Sequence, residues 1–188
     1  MKKALSLLLT LSMLLSLMPV VAVSADSADQ VVIEAENMTL VTGEGQVQNM
    51  ESKFPGSGFS GGKQFWFKNT AEGGVLELKF TLDTAFEGPA SIAHCMAGDF
   101  GIFDIYIDNT LVYDELDMYY NAGTVGAAVK HSGNVSMNNV SLMAGEHTLK
   151  LICTGKNAAN TYTDRYYAGI DCIKLGTEYY DGVTTFEA

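Results

Sequence analysis

Glu34 and Glu36 stand two apart in the run 31–38, VVIEAENM, whose alternation predicts a β-strand. In a strand such residues share one face, with their carboxylates about 7 Å apart along it. Two like charges placed this way either stay in water at a sheet edge or share a cation, and calcium accepts carboxylate and carbonyl oxygens. Nucleophilic catalysis finds less to build on. The histidines are His94, His131 and His147, and none lies in a Gly-x-Ser-x-Gly setting or a comparable one. His94, in an apolar strand, reads as a core residue; His147, after a tight turn, reads as facing solvent. Acids are plentiful enough for a paired-carboxylate glycosidase, but no two of them stand out as a catalytic pair. No phosphate-cradling glycine loop is present. Cys95, Cys153 and Cys172 each sit in an apolar stretch. They read as small buried hydrophobes, or as one disulfide with a thiol left over, and their spacing gives no zinc motif.

The elements that would carry these residues are short and alternating. Strands are expected at 31–38, 64–67, 75–82, 90–96, 102–107, 111–113, 135–142, 148–153 and 167–175. Turn signals separate them at Gly73-Gly74, Gly88-Pro89, Asp108-Asn109 and Ala144-Gly145-Glu146. Such a series predicts an all-β fold, a two-sheet antiparallel β-sandwich or a barrel. Segments 114–126 and 157–165 read as long loops, a common place for function on a rigid scaffold.

Lys2 and Lys3, an apolar Leu-rich run to Val23, and the small residues Ser24-Ala25 form a bacterial-type export signal cleaved after Ala25. An uncleaved membrane anchor is the alternative, since the run is about long enough to span a bilayer. Cleavage leaves a secreted chain of roughly 160 residues, one domain's worth, with no membrane contact. It also takes Lys plus Arg from 11 to 9 against 22 acids, a formal charge of −13. That sign excludes a phosphate-rich partner, so no nucleic acid is expected. Residues 26–30 read as a short linker. The ending 183–188, VTTFEA, echoes 31–35, so 177–188 is a linker or the start of a truncated second repeat.

Four motifs in order, IEAENM, GFSGGKQFWF, LMAGEHTLKL and AGIDCIKL, with AGDFGIFDIYIDNTLV and GEHTLKLICTGKN between and around them, cover about 31–176. This set resembles the carbohydrate-binding modules of families 6 and 35 and related galactose-binding-like jelly rolls. The resemblance implies a β-jelly roll with a structural calcium, and its metal-binding acids match Glu34, Glu36 and Asp171. Loop 53–62 would add carbonyls. A buried carboxylate in the apolar 167–175 strand is costly without a partner, which suits a cation. The ligand implied is a polysaccharide or oligosaccharide, held by aromatic faces and nearby amides. The candidates are Trp66, either core or platform, with Tyr119 and Tyr120 in one loop and Asn157, Asn160, Tyr162 and Tyr166 in or beside the other. Function is then non-catalytic: the module targets an associated enzyme or surface protein to glycan. The alternatives are an interaction module without a sugar site, or the N-terminal part of a larger glycoside hydrolase. Localisation is extracellular, either free or attached to the cell surface through further domains.

Overall fold

The computed structural model describes residues 30–121, 123 and 128–176. The signal, most of linker 26–30 and the 183–188 echo lie outside the described residues. The chain runs β1 (Val31–Glu34), β2 (Thr39–Thr42), β3 (Gly45–Asn49), a one-turn helix α1 (Met50–Lys53), β4 (Lys63–Phe67), β5 (Val75–Leu82), β6 (Phe86–Gly88) and β7 (Ala90–Met96). It continues through β8 (Ile102–Ile107), β9 (Thr110–Asp117), β10 (Lys130–Ser136), β11 (Val140–Leu142), β12 (Gly145–Gly155) and β13 (Ala168–Leu175).

Two antiparallel sheets face each other. One has the order β10-β7-β13-β4-β3, with β1 also paired to β13; the other is β2-β5-β12-β8-β9, and β6 and β11 form a small ribbon. The all-β sandwich read from the sequence is the observed class. Alternation explains the packing. Phe65 and Phe67 of β4, Ile92 of β7 and Ile170 of β13 meet Leu76, Leu78, Phe103, Ile105, Leu149 and Leu151 of the other sheet in one core. Phe67 and Phe103 touch across it, ring centroids 6.2 Å apart. The residues between them point outward, so Gln64 and Trp66 face away from the core.

Local chemistry sets the connections. Asp108 and Asn109 have φ of 48° and 66°, the paired left-handed conformation of a two-residue hairpin turn. The first strand is shorter than the sequence suggested. It stops at Glu34, and Ala35–Asn37 form a 3-10 turn that carries the chain across to the second sheet. Ala35, at the crossing, is fully buried. The 135–142 strand is two strands, β10 and β11, in different sheets, and β9 extends to Asp117, into the segment read as loop.

Candidate functional site

Of the three acids expected to gather, Glu34 and Asp171 come together with Cys172, and Glu36 is not one of that group of possible ligand atoms. Glu36 is not in a strand at i+2 from Glu34; the 3-10 turn holds it, and the turn brings it back toward Glu34 and Asp171. Oxygens of Glu34 and Asp171 and the Cys172 sulfur lie within 4.8 Å of one another. The Ser60–Gly62 turn closes over them. Ser60 donates its N–H to Asp171 Oδ1 at 2.9 Å and its hydroxyl to Glu34 Oε1 at 2.5 Å. Gly61 takes φ 56°, the left-handed region that favours glycine, and a Cβ there would stand 2.8 Å from Glu36 Oε1, so the tip of the glutamate would have to shift.

Two carboxylate oxygens here, Glu34 Oε2 and Glu36 Oε2, are buried without a hydrogen-bond partner. Buried anionic oxygens left this way are costly. Burial raises the Glu36 pKa, with further upward push from Glu34 and Asp171, against its own backbone hydrogen bond and Lys63. The nitrogen and sulfur groups nearby act as donors to the carboxylates. Gly133 N–H donates to His131 Nδ1 at 3.1 Å, which fixes the tautomer and leaves Nε2–H for Asp171 Oδ2 at 2.9 Å. The Cys172 thiol, its pKa pushed up to about 12 by burial, Asp171 and Glu34, stays protonated and points to the same Oδ2. The unsatisfied atoms are therefore all oxygens, the donor set of a hard cation such as calcium.

The second feature is a groove of about 390 Å³ on the outer face of the β13-β4-β3 side, within the volume range of small-ligand sites. Trp66 forms one wall and meets Tyr167 edge-to-face, with centroids 5.0 Å apart and planes at 72°. That contact fixes the indole while leaving it half-exposed. Cys95 and Ala97 lie along the groove with the amides of Gln48 and Gln64, and Asp99 stands at its loop end. Gln64 donates to Gln48 Oε1 at 3.1 Å, but its own Oε1 is buried without a partner. It fills space that Gly169 leaves, since a Cβ there would sit 2.2 Å from that oxygen. The Asp99 pKa is raised by burial and held back by Arg165, whose guanidinium is 3.4 Å from Oδ2.

Of the expected sugar contacts, Trp66 alone lines this groove among the described residues. The others build the loops around it. Asn160 is buried; its Nδ2 donates to the Phe100 and Arg165 carbonyls and its Oδ1 accepts from Tyr162 N–H. Asn157 donates to Asp117 Oδ2 at 2.7 Å and accepts from Ala159 N–H. Tyr162 lies beneath the Arg165 guanidinium at 4.4 Å, and Tyr166 beneath Lys156 at 4.9 Å. Tyr119 and Tyr120 are tied to Ala97, and Lys130 stands 5.8 Å from the Tyr120 ring. Gln64 was not among the expected contacts. Alternation could have found it, because it is offset by one from the core residue Phe65.

The histidines divide. His94 is buried and its pKa falls to about 4, chiefly through burial, so it is neutral. His147 does not face solvent: it is buried against Phe80, its partner residue in β5. The three cysteines are free and buried, as small hydrophobes would be.

No protein-family model matches the sequence, and no curated protein matches it. Solved structures do share the fold. Paenibacillus xanthan lyase aligns at 22% identity and TM-score 0.60, over 78% of this chain and 13% of that one. A family 35 carbohydrate-binding module from an environmental isolate aligns at 17% identity and TM-score 0.48, over 79% and 98%. The C-terminal family 6 module of LamC, a laminarinase of Zobellia galactanivorans, aligns at 19% and 0.48, over 79% and 100%. The chain thus spans about an eighth of the xanthan lyase it resembles.

Proposed function

We propose that the chain is a secreted, non-catalytic carbohydrate-binding module whose fold is held by a structural calcium ion. The groove carries this reading. A half-exposed indole braced by a second ring offers a flat apolar face, and amides with an unpaired oxygen lie beside it. That combination suits a pyranose, which is apolar on its faces and hydroxylated at its rim. Glu34, Glu36 and Asp171 would hold the calcium, which would join β1, the crossover turn and β13. The ion would neutralise clustered charge and take no part in a reaction. A glycan array probed with the purified chain tests the reading. The expected result is binding that falls about 30-fold in Trp66→Ala, the loss of about 2 kcal/mol typical of a central aromatic contact. No binding to any glycan, or binding that survives Trp66→Ala, refutes it.

An attached catalytic domain is the natural partner, because the similar region of the xanthan lyase is a small part of a much longer chain. The coding sequence beyond residue 188 tests this directly.

A further inference from the structure

We infer that the glycan site extends past Trp66 into a second subsite walled by Glu44, Gln46 and Lys68, and that its ligand is a run of at least two consecutive sugar units lying across the indole. This rests on the glycan reading above. Trp66 lines two depressions, the groove and a neighbouring hollow of about 260 Å³ bounded by Glu44, Gly45, Gln46 and Lys68. Strand register sets them in line. Gln48 lies opposite Gln64 and Gln46 opposite Trp66, and beyond β4 the Lys68 N–H donates to the Glu44 carbonyl at 2.7 Å. From Gln64 to Lys68 the chain advances about 13 Å at the usual strand rise. Trp66 is midway, and its ring borders both depressions.

The two halves differ in chemistry. The groove combines an apolar floor with the paired amides of Gln48 and Gln64, and Lys53 and Asp99 also line it without forming an ion pair with each other in the way Glu44 and Lys68 do. The hollow has a charge pair, Lys68 Nζ to Glu44 Oε1 at 2.8 Å, beside the Gln46 amide. Glu44 and Lys68 are exposed and offer an acceptor and a donor to hydroxyls. A second sugar unit would meet charged partners there, while the first sits over the apolar floor. An exposed ion pair of this kind adds little to stability, so it can be removed without unfolding the chain.

Calorimetric titration with cello-, manno-, β-1,3-gluco- and β-1,3-galacto-oligosaccharides of one to six units tests the inference. In the series that binds, affinity should rise at least tenfold between one unit and three. In the double variant Glu44→Ala/Lys68→Ala that gain with length should vanish, with melting unchanged. Equal affinity for one unit and three overturns the second subsite while leaving the glycan reading in place. So does a double variant that binds the long chains as tightly as the natural protein. If none of the four series binds, the second subsite is overturned, and the glycan reading fails with it only where the array too shows no binding.

Discussion

Glu34→Gln separates a cation site from a set of merely buried acids, because the two cases predict opposite signs. Glu34 and Asp171 oxygens are within 4.8 Å. At an effective dielectric of about 20, two unit charges at that distance repel by roughly 3 kcal/mol. Glutamine keeps the side chain's shape and still accepts the Ser60 hydroxyl, though losing the charge weakens that bond by about 1 kcal/mol. With chelator present, the variant should therefore be more stable than the natural chain by about 2 kcal/mol, a gain of roughly 4–8 °C for a domain of this size. With calcium at about one hundred times its dissociation constant, the natural chain should gain about 2.7 kcal/mol, or roughly 5–11 °C, and the variant much less. Melting followed by circular dichroism, with chelator and then with excess calcium, reads all four states. The reasoning fails if the natural chain melts at the same temperature in both conditions. It fails equally if Glu34→Gln is destabilising by the same amount in both.

His147 carries a pH prediction. Burial lowers its pKa, but the Asp108 carboxylate at Nδ1 and the Met143 carbonyl at Nε2 outweigh this, so the net shift is upward. Both partners are acceptors, and only the imidazolium satisfies both. A raised folded pKa gives stability that is fully present below the unfolded value of about 6.5 and is lost as pH rises through the folded value. His94, neutral in the fold with its pKa at about 4, weakens the natural chain and the variant alike at acid pH, so the two are compared with each other: the advantage of the natural chain over Asp108→Asn should shrink as pH rises through that window, and an advantage equal at pH 5.5 and 8.5 would contradict this. Asn160→Ala removes three hydrogen bonds from a buried loop and should cost about 2–4 kcal/mol. Unchanged melting together with lost glycan binding would instead make Asn160 a ligand contact.

Period-two alternation was enough to place β5 and β8 at their observed bounds, because each has one face in the core, whereas β7 was found as a short apolar run and is buried on both faces along residues 92–95. Alternation missed β2 and β3, whose residues TLVT and GQVQN are mostly exposed and carry no burial pattern. Those edges are held by backbone pairing to β5 and β4, which side-chain type does not report. The nearness of Glu34 to Asp171 matches the sequence reading, while the part of Cys172 and the place of Glu36 were not legible. Ala35 looked like an ordinary strand residue, yet its burial at the sheet crossing forms the turn that aims Glu36. In the loops the sequence could not distinguish an asparagine that binds a ligand from one that binds its own backbone. Asn160 has the composition of a contact and the burial of a strut.

The two sites hang on one irregularity in β13. Ala168 and Ile170 are core residues, and so are Ile173 and Leu175. The inward positions are two apart on either side but three apart in the middle, which is the signature of an inserted residue. The pairing with β7 shifts at that point, between Ile170 and Cys172. Without the bulge, Asp171 would continue the outward row of Tyr167 and Gly169 along the groove. A bulge can re-aim a side chain and bend its strand; the residue at this one, Asp171, meets Ser60, His131 and the Glu34 carboxylate. Gly169, on the regular side, stays beneath Gln64 in the groove. A cation on Asp171 would thus fix the bulge without touching the groove. In this reading its effect on glycan binding would pass through the stability of β13 and not through contact with the sugar.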